Sequence, residues 1–356
     1  VAIIPAPETT STVAQIYRSY EKREALSGGN RPHLGASLIG HLCERYLWLM
    51  FRWVGAEAFD GRMLRLFNTG HRAEARFVDE LREIGATVWD TDEFGAQQRV
   101  SALGGHFGGS MDAVAQGLPE APKTPHVVEF KTHSQKSFDE LVKKKVRAAK
   151  PQHWAQMQVY MGLAELDRAM YLAENKNTSE VYAERVEFDL VEFTSLMERA
   201  RRVITSGEPP ARLSEDPAWF ECKWCSFREH CHGERLPAVN CRTCAHSTPL
   251  VDSEGASWQC ELTKTPIGLD VQPSGCNGHR FIPVLLARVA QQTDAVDERD
   301  GNLAVTYTLA DGSTFANGYP PAFSSIEIRA THHASMLGDS QVQAIKAEFP
   351  QARMVA

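Results

Sequence analysis

The order of strand-like and helical stretches between residues 87 and 188 constrains the fold more than any other feature of this chain. Four short β-prone pieces (87–89, 99–103, 110–115 and 126–130) come first. Helical periodicity follows over about 137–147 and 151–164, and two further strands are expected at 169–174 and 182–188. Strands interrupted by helices in this way predict an α/β fold, a short mixed β-sheet flanked by helices. The Gly-rich run 104–109 reads as a hairpin that places Asp112 on its return strand.

Helices bracket this region. An amphipathic helix is expected over 11–26, broken by Gly28-Gly29-Asn30-Arg31-Pro32. Ser37 reads as the N-cap of a helix carrying Cys43, Tyr46, Trp48, Phe51 and Trp53. Asn68 or Thr69 would cap the next helix, which buries Ala73, Phe77, Val78 and Leu81 and stops at Gly85. A further helix over 191–205 ends before Gly207 and Pro209-Pro210.

At 356 residues, 43% of them hydrophobic, the chain can bury a real core in one large domain or two unequal ones. The expected division is 1–236, a cysteine-rich module at 237–283, and a small α+β region at 284–356 with strands at 303–307 and 313–316 and a helix at 340–348. No apolar run approaches a membrane span, and Val1 to Pro7 lacks the basic start of a secretory signal. The expectation is a soluble, cytoplasmic protein with no membrane partner.

Four segments then fall into order as parts of one site: Gly70-His71, Gly109-x-x-Asp112, Glu129-Phe130-Lys131, and Gln156-x-x-x-Tyr160. Asp112 and Glu129 on neighbouring strands can place two carboxylates on one divalent cation, with the backbone carbonyl of Phe130 as a third oxygen. Lys131, one strand period beyond Glu129, points to the same face and can orient a water or steady charge building on phosphorus. His71 can supply an imidazole, which favours manganese somewhat over magnesium. Glu74, one helical turn from His71, is either its support or an ordinary surface carboxylate. Gln156 and Tyr160, at i and i+4, would contact a DNA strand or support Lys131. A basic stripe follows: Lys136, Lys143, Lys144, Lys145, Arg147 and Lys150. A net charge of −7 argues mildly against a general nucleic-acid coat but not against an enzyme with a local basic stripe.

Taken together, these segments resemble the RecB-like branch of the PD-(D/E)XK nucleases, over roughly residues 37–234. That branch includes RecB-type nuclease domains, CRISPR-adaptation nucleases and phage recombination exonucleases. No Pro-Asp dipeptide marks the catalytic acid here, since Met111 precedes Asp112. The resemblance implies a restriction-endonuclease-like core. It makes His71, Asp112, Glu129 and the Phe130 carbonyl ligands of Mg²⁺ or Mn²⁺, and Lys131 the catalytic lysine. It also implies DNA as substrate, in a bacterial or phage-infected cell.

Eight cysteines fall into two sets, and in a cytosolic chain their spacing points to metal more than to disulfides. Cys222-x2-Cys225-x5-Cys231 with the distant Cys43 resembles the iron–sulfur members of the same branch, which implies a structural 4Fe–4S cluster stapling the domain. A four-thiolate zinc site fits the same residues, as does zinc on Cys222, Cys225 and Cys231 with His230 or His232 and Cys43 left in the core. Cys241-x2-Cys244-x15-Cys260-x15-Cys276 reads as a structural Zn²⁺ site in which His246 or His279 could replace one ligand. His332-His333 read as loop residues.

Three functions compete. The first is a divalent-metal-dependent DNA nuclease, an exonuclease rather than an endonuclease, serving recombination, repair or phage replication. With no helicase motif in the chain, a helicase or recombination protein would be its partner. The second is a non-catalytic DNA-end-binding scaffold, against which the intact Asp112, Glu129 and Lys131 argue. The third is an electron-transfer iron–sulfur protein, which leaves the acidic residues unexplained.

Overall fold

The protein is described from a computed structural model covering residues 11–26, 30–56, 59–299, 301–331 and 333–353. Val1 to Pro7, the Gly28-Gly29 break and His332 lie outside the described residues. In chain order the helices are α1 (Thr12–Leu26), α2 (Glu44–Phe51), α3 (Gly61–Glu83), α4 (Gln135–Ala149), α5 (Pro151–Leu163), α6 (Leu190–Thr205), α7 (Phe220–Lys223), α8 (Arg228–Cys231), α9 (Ser325–Ala330), α10 (Ser335–Gly338) and α11 (Ser340–Glu348). The strands are β1 (Leu34–Gly35), β2 (Thr87–Trp89), β3 (Arg99–Ala102), β4 (Phe107–Ser110), β5 (Ala113–Gln116), β6 (His126–His133), β7 (Arg168–Asn175), β8 (Val181–Glu187), β9 (Ser247–Pro249), β10 (Trp258–Cys260), β11 (Thr265–Ile267), β12 (Ala290–Arg299), β13 (Asn302–Leu309) and β14 (Thr314–Asn317). Among the described residues no helix is long and apolar enough to cross a membrane.

The described residues divide into two compact units. The first comprises Val1–Arg31, Glu57–Val100 and Gly109–Phe193; the second comprises Pro32–Ala56, Ser101–Gly108 and Thr194–Ala356. The first holds a five-stranded sheet in the order β2-β5-β6-β7-β8. Only the β6–β7 pair is parallel. The two helices α4 and α5 intervene between those strands, as a parallel pairing requires of its crossover. One sheet face, with Ala113, Ala115, Val128, Phe130, Met170 and Leu172, packs on Phe77, Val78 and Leu81 of α3.

Alternation along the strands then fixes the opposite face. Ala113 pairs with Val128, and Glu129 pairs with Tyr171. Glu129, Lys131 and His133 therefore share the face that carries Tyr171.

Three local expectations are corrected. Helix α3 begins at Gly61, not at Asn68 or Thr69: Asp60 Oδ1 accepts from Met63 N at 2.7 Å. Asn68 Oδ1 instead accepts from Tyr20 OH, and Thr69 Oγ1 donates to Arg65 O within the helix. His71 is thus a mid-helix residue rather than an early one. Ser37 lies in a short 3₁₀ turn (Ala36–Leu38), and α2 is capped by Cys43, whose Sγ accepts from Tyr46 N at 3.4 Å. The Gly-rich run does join two neighbouring strands, β3 and β4, but Asp112 is not on the return strand; it stands in the two-residue gap between β4 and β5. In the second unit, Gly104 has φ +65°, and a Cβ there would lie 2.4 Å from Ser253 O. Ala256 N donates to Gly104 O at 2.7 Å, so the glycines that turn the chain from β3 into β4 also let another loop approach.

The second unit also contains two antiparallel three-stranded sheets, β11-β10-β9 and β12-β13-β14. Only β13, β14 and α11 of these elements are legible in the sequence. Two buried arginines brace the unit by donating to neutral oxygens. Arg242 donates to Gln272 Oε1, Phe51 O and Pro32 O, and Arg52 donates to Arg242 O, Ser247 O and Ser206 O. Both guanidinium groups lie over Trp258. Burial pushes Arg242 down to about 9.

Candidate active site

The first unit gathers the acidic residues around one lysine. Glu129 is fully buried. Its Oε2 accepts from Gln156 Nε2 at 3.1 Å, and its Oε1 pairs with Lys131 Nζ. Asp112 Oδ2 accepts from Phe130 N at 2.8 Å and lies 3.7 Å from Lys131 Nζ. Lys131 Nζ also donates to Phe130 O at 2.9 Å, so the carbonyl expected to face a cation does face this cluster.

Glu74 joins them from α3. It is half-buried, and its carboxyl is pushed up by burial and then by Asp112, against the opposing pull of His71 and Lys131. Of its two sequence readings, the surface carboxylate does not describe this environment. His71 is exposed on the same helix.

Gln156 and Tyr160 are buried and do not support Lys131 or face outward. Tyr160 OH donates to Ser110 O at 2.8 Å and accepts from Gln156 Nε2 at 3.3 Å. A Cβ at Gly109 would lie 2.7 Å from Tyr160 Oη, which is the steric reason for glycine three residues before Asp112. Gln156 thus fixes Glu129, and Tyr160 fixes the chain that leads into Asp112.

Three carboxyls against one ammonium leave the cluster short of positive charge. Burial pushes Glu129 up, Asp112 and Glu74 push it further, and Lys131 pulls it back. Burial works against the Lys131 charge, but Glu129, Asp112 and Glu74 outweigh it and hold the ammonium protonated. The direction at Lys131 describes the pair at neutral pH better than a neutral Glu129 does, because the ammonium touches the carboxylate. Hard oxygens with unbalanced negative charge are the donor set a divalent cation takes. Among the described residues no cluster of three or more His, Cys, Asp or Glu stands ready-made to hold a metal ion.

The basic stripe disperses. Lys144 pairs with Glu140 at 2.8 Å, Arg147 lies over Trp154, and Lys150 donates to Ser137 Oγ. Lys136, Lys143 and Lys145 are exposed. The sequence reading missed Tyr171, His133 and His153, although the same periodicities reach them. His133 is one strand period past Lys131, and His153 one helical turn before Gln156.

In the second unit each cysteine set lines one cavity. Cys43, Cys222, Cys225 and Cys231 surround a space of about 30 Å³. Burial, then Cys43, Cys231 and Cys222, push the Cys225 thiol up to about 11, with a backbone N–H opposing. Cys241, Cys244, Cys260 and Cys276 line a space of about 200 Å³ together with His246 and His279. His246 Nε2 bonds Asn302 Oδ1 at 2.8 Å, and His279 Nε2 bonds Asn240 O at 3.0 Å, so one nitrogen of each imidazole is committed elsewhere.

A mixed sheet flanked by helices, with this carboxylate–lysine cluster beside it, is an α/β core of the nuclease kind. The model of the PD-(D/E)XK nuclease superfamily matches residues 25–232, more than half of the chain, and the chain belongs to that superfamily. Among curated proteins none matches. Solved structures similar to this chain include SSO0001, at 13% identity and TM-score 0.39, covering 62% of this chain and 96% of that one. An alkaline exonuclease (LHK-Exo) from Laribacter hongkongensis has 16% identity and TM-score 0.35, over 48% and 86%. A phage-related exonuclease from Haemophilus somnus 129PT has 14% identity and TM-score 0.34, over 48% and 91%.

Proposed function

We propose that this protein is a Mg²⁺- or Mn²⁺-dependent DNA nuclease, acting as an exonuclease on DNA ends in recombination, repair or phage replication. The observation that carries the reading is the convergence of Glu74, Asp112, Glu129 and the Phe130 carbonyl around Lys131. Glu129, Asp112, the Phe130 carbonyl and His71 would hold the cation, with Glu74 beside them. A bound divalent cation polarises the phosphate and lowers the pKa of its water.

The chain's own residues do the rest. Gln156 and the Phe130 N–H orient the two carboxylates. Lys131, protonated throughout the neutral range, offers an N–H to the attacking water or to the phosphate oxygens. The exonuclease reading, and a helicase or recombination protein as partner, rest on the motif resemblance.

The cysteine sets complete the proposal. Four thiolates fit a 4Fe–4S cluster or zinc in the first set and zinc in the second. Zinc in the first set is the second reading, since four thiolates take either group. Anaerobically purified protein with broad visible absorbance supports the cluster, and colourless protein containing only zinc supports the second reading.

The test of activity is labelled linear and circular DNA with Mg²⁺ or Mn²⁺. Wild type should degrade the linear substrate, and Asp112→Ala, Glu129→Ala and Lys131→Ala should not while still binding DNA. Cleavage that survives in all three variants refutes the assignment.

A further inference from the structure

A continuous run of hydrogen bonds lies on the sheet face that carries Glu129 and Lys131, and the nuclease reading leaves it unused. Lys150 Nζ donates to Ser137 Oγ at 2.8 Å, and Ser137 Oγ meets His133 Nδ1 at 3.2 Å. His133 Nε2 meets Tyr171 OH at 2.9 Å, and the same hydroxyl meets His153 Nδ1 at 2.8 Å. The three rings are nearly parallel, at 25–29° to one another.

The head of this run sets its direction. Lys150 can only donate, so Ser137 turns a lone pair toward the ammonium and its own proton toward His133 Nδ1. A neutral imidazole that accepts at Nδ1 carries its proton on Nε2, so His133 donates to Tyr171. Tyr171, having accepted, donates to His153 Nδ1. His153 then holds its proton on Nε2. Both imidazoles are neutral: burial, then nearby lysines, push His133 down to about 4 and His153 to about 3. A proton on either ring would be one more cation beside Lys131 and Lys150.

His153 is only half-buried, and its Nε2 is not among the buried atoms left without a partner. It stands on α5 one turn before Gln156, which touches Glu129. A neutral N–H at this position can donate to a phosphate oxygen.

We propose that His153 is a substrate-contacting residue, a neutral Nε2–H donor to a non-bridging phosphate oxygen of the DNA strand, and that Lys150, Ser137, His133 and Tyr171 fix which nitrogen carries its proton. The inference rests on the nuclease reading and deepens it.

The wild-type protein tests it first. Long-range ¹H–¹⁵N correlation spectra at pH 7.5 should show His133 and His153 neutral, both protonated on Nε2. A proton on Nδ1 of His153 overturns the proposal. Steady-state cleavage of linear DNA tests it again. His153→Ala should raise KM about tenfold, the loss of one good hydrogen bond, with a smaller change in kcat.

His153→Gln, which keeps an N–H at similar reach, should recover most of that loss. Tyr171→Phe keeps the ring but frees the tautomer, and should give an intermediate KM. An unchanged KM in His153→Ala, or no recovery in His153→Gln, overturns the contact. If Lys131→Ala is inactive while His153→Ala is normal, only this inference fails; if cleavage survives in Asp112→Ala, Glu129→Ala and Lys131→Ala, the site assignment fails with it.

Discussion

Gln156→Leu isolates the one neutral donor that holds Glu129. The wild-type amide reaches the fully buried Glu129 at Oε2, 3.1 Å away. Leucine leaves that oxygen facing a hydrocarbon, with the carboxylate still paired to Lys131. A hydrogen bond to a charged group is worth about 1.5–3 kcal/mol. Each 1.36 kcal/mol corresponds to one pKa unit, so the Glu129 carboxyl, already pushed up by burial, should rise by about 1–2 units more.

A protonated Glu129 cannot bind a cation, so the half-saturating Mg²⁺ for cleavage at pH 7.5 should rise about 10- to 100-fold. The assay is a Mg²⁺ titration of linear-DNA cleavage at pH 7.5 and pH 9, alongside urea unfolding of the metal-free protein. The higher pH should restore much of the affinity, because it removes the added proton. A half-saturation that matches wild type at both pH values, or a defect equal at the two, would refute the argument that Gln156 acts by holding the ionised carboxylate.

Other expectations follow from the same geometry. Gly109→Ala brings a Cβ to 2.7 Å from Tyr160 Oη, so it should displace the phenol and lower cleavage at least tenfold, while Gly70→Ala, with open space around it, should stay near wild type in the same assay. Gly104→Ala combines φ +65° with a 2.4 Å approach to Ser253 O and should cost about 2–4 kcal/mol in urea unfolding. The raised Glu129 and Glu74 carboxyls mean that the folded metal-free protein binds more protons than the unfolded chain above about pH 4.5. That contribution to stability is present at low pH and falls as pH rises, so the gain in Tm on adding Mg²⁺ should grow from pH 5.5 to pH 8; a gain independent of pH would contradict it. Arg242→Ala strands the Phe51 and Pro32 carbonyls and should cost about 1–3 kcal/mol for each, read by the same urea assay.

The sequence alone determined the elements whose signal is local. Period-two and period-3.6 patterns placed β2, β6, β7, β8, α5, α6 and α11 within a residue or three at their ends, because each stretch carries its own apolar alternation. The same periodicities put Glu129 and Lys131 on one strand face and Gln156 and Tyr160 on one helix face, since a strand repeat and a helix repeat each select a face. Tertiary structure decided what those repeats do not encode. Asp60 rather than Asn68 caps α3 because Asn68 is drawn off to Tyr20, 48 residues away in the chain. Gly104 and Gly105 turn the chain from β3 into β4 as a local rule expects, but they also let a loop 150 residues later approach, which no local rule can show. Gln156 and Tyr160 turned out to be buried supports of Glu129 and of the chain entering Asp112, because the amide and phenol find their partners only across the sheet. The Lys150–Ser137–His133–Tyr171–His153 run joins four separate elements. Spacing along the chain names its members, but only packing makes them neighbours.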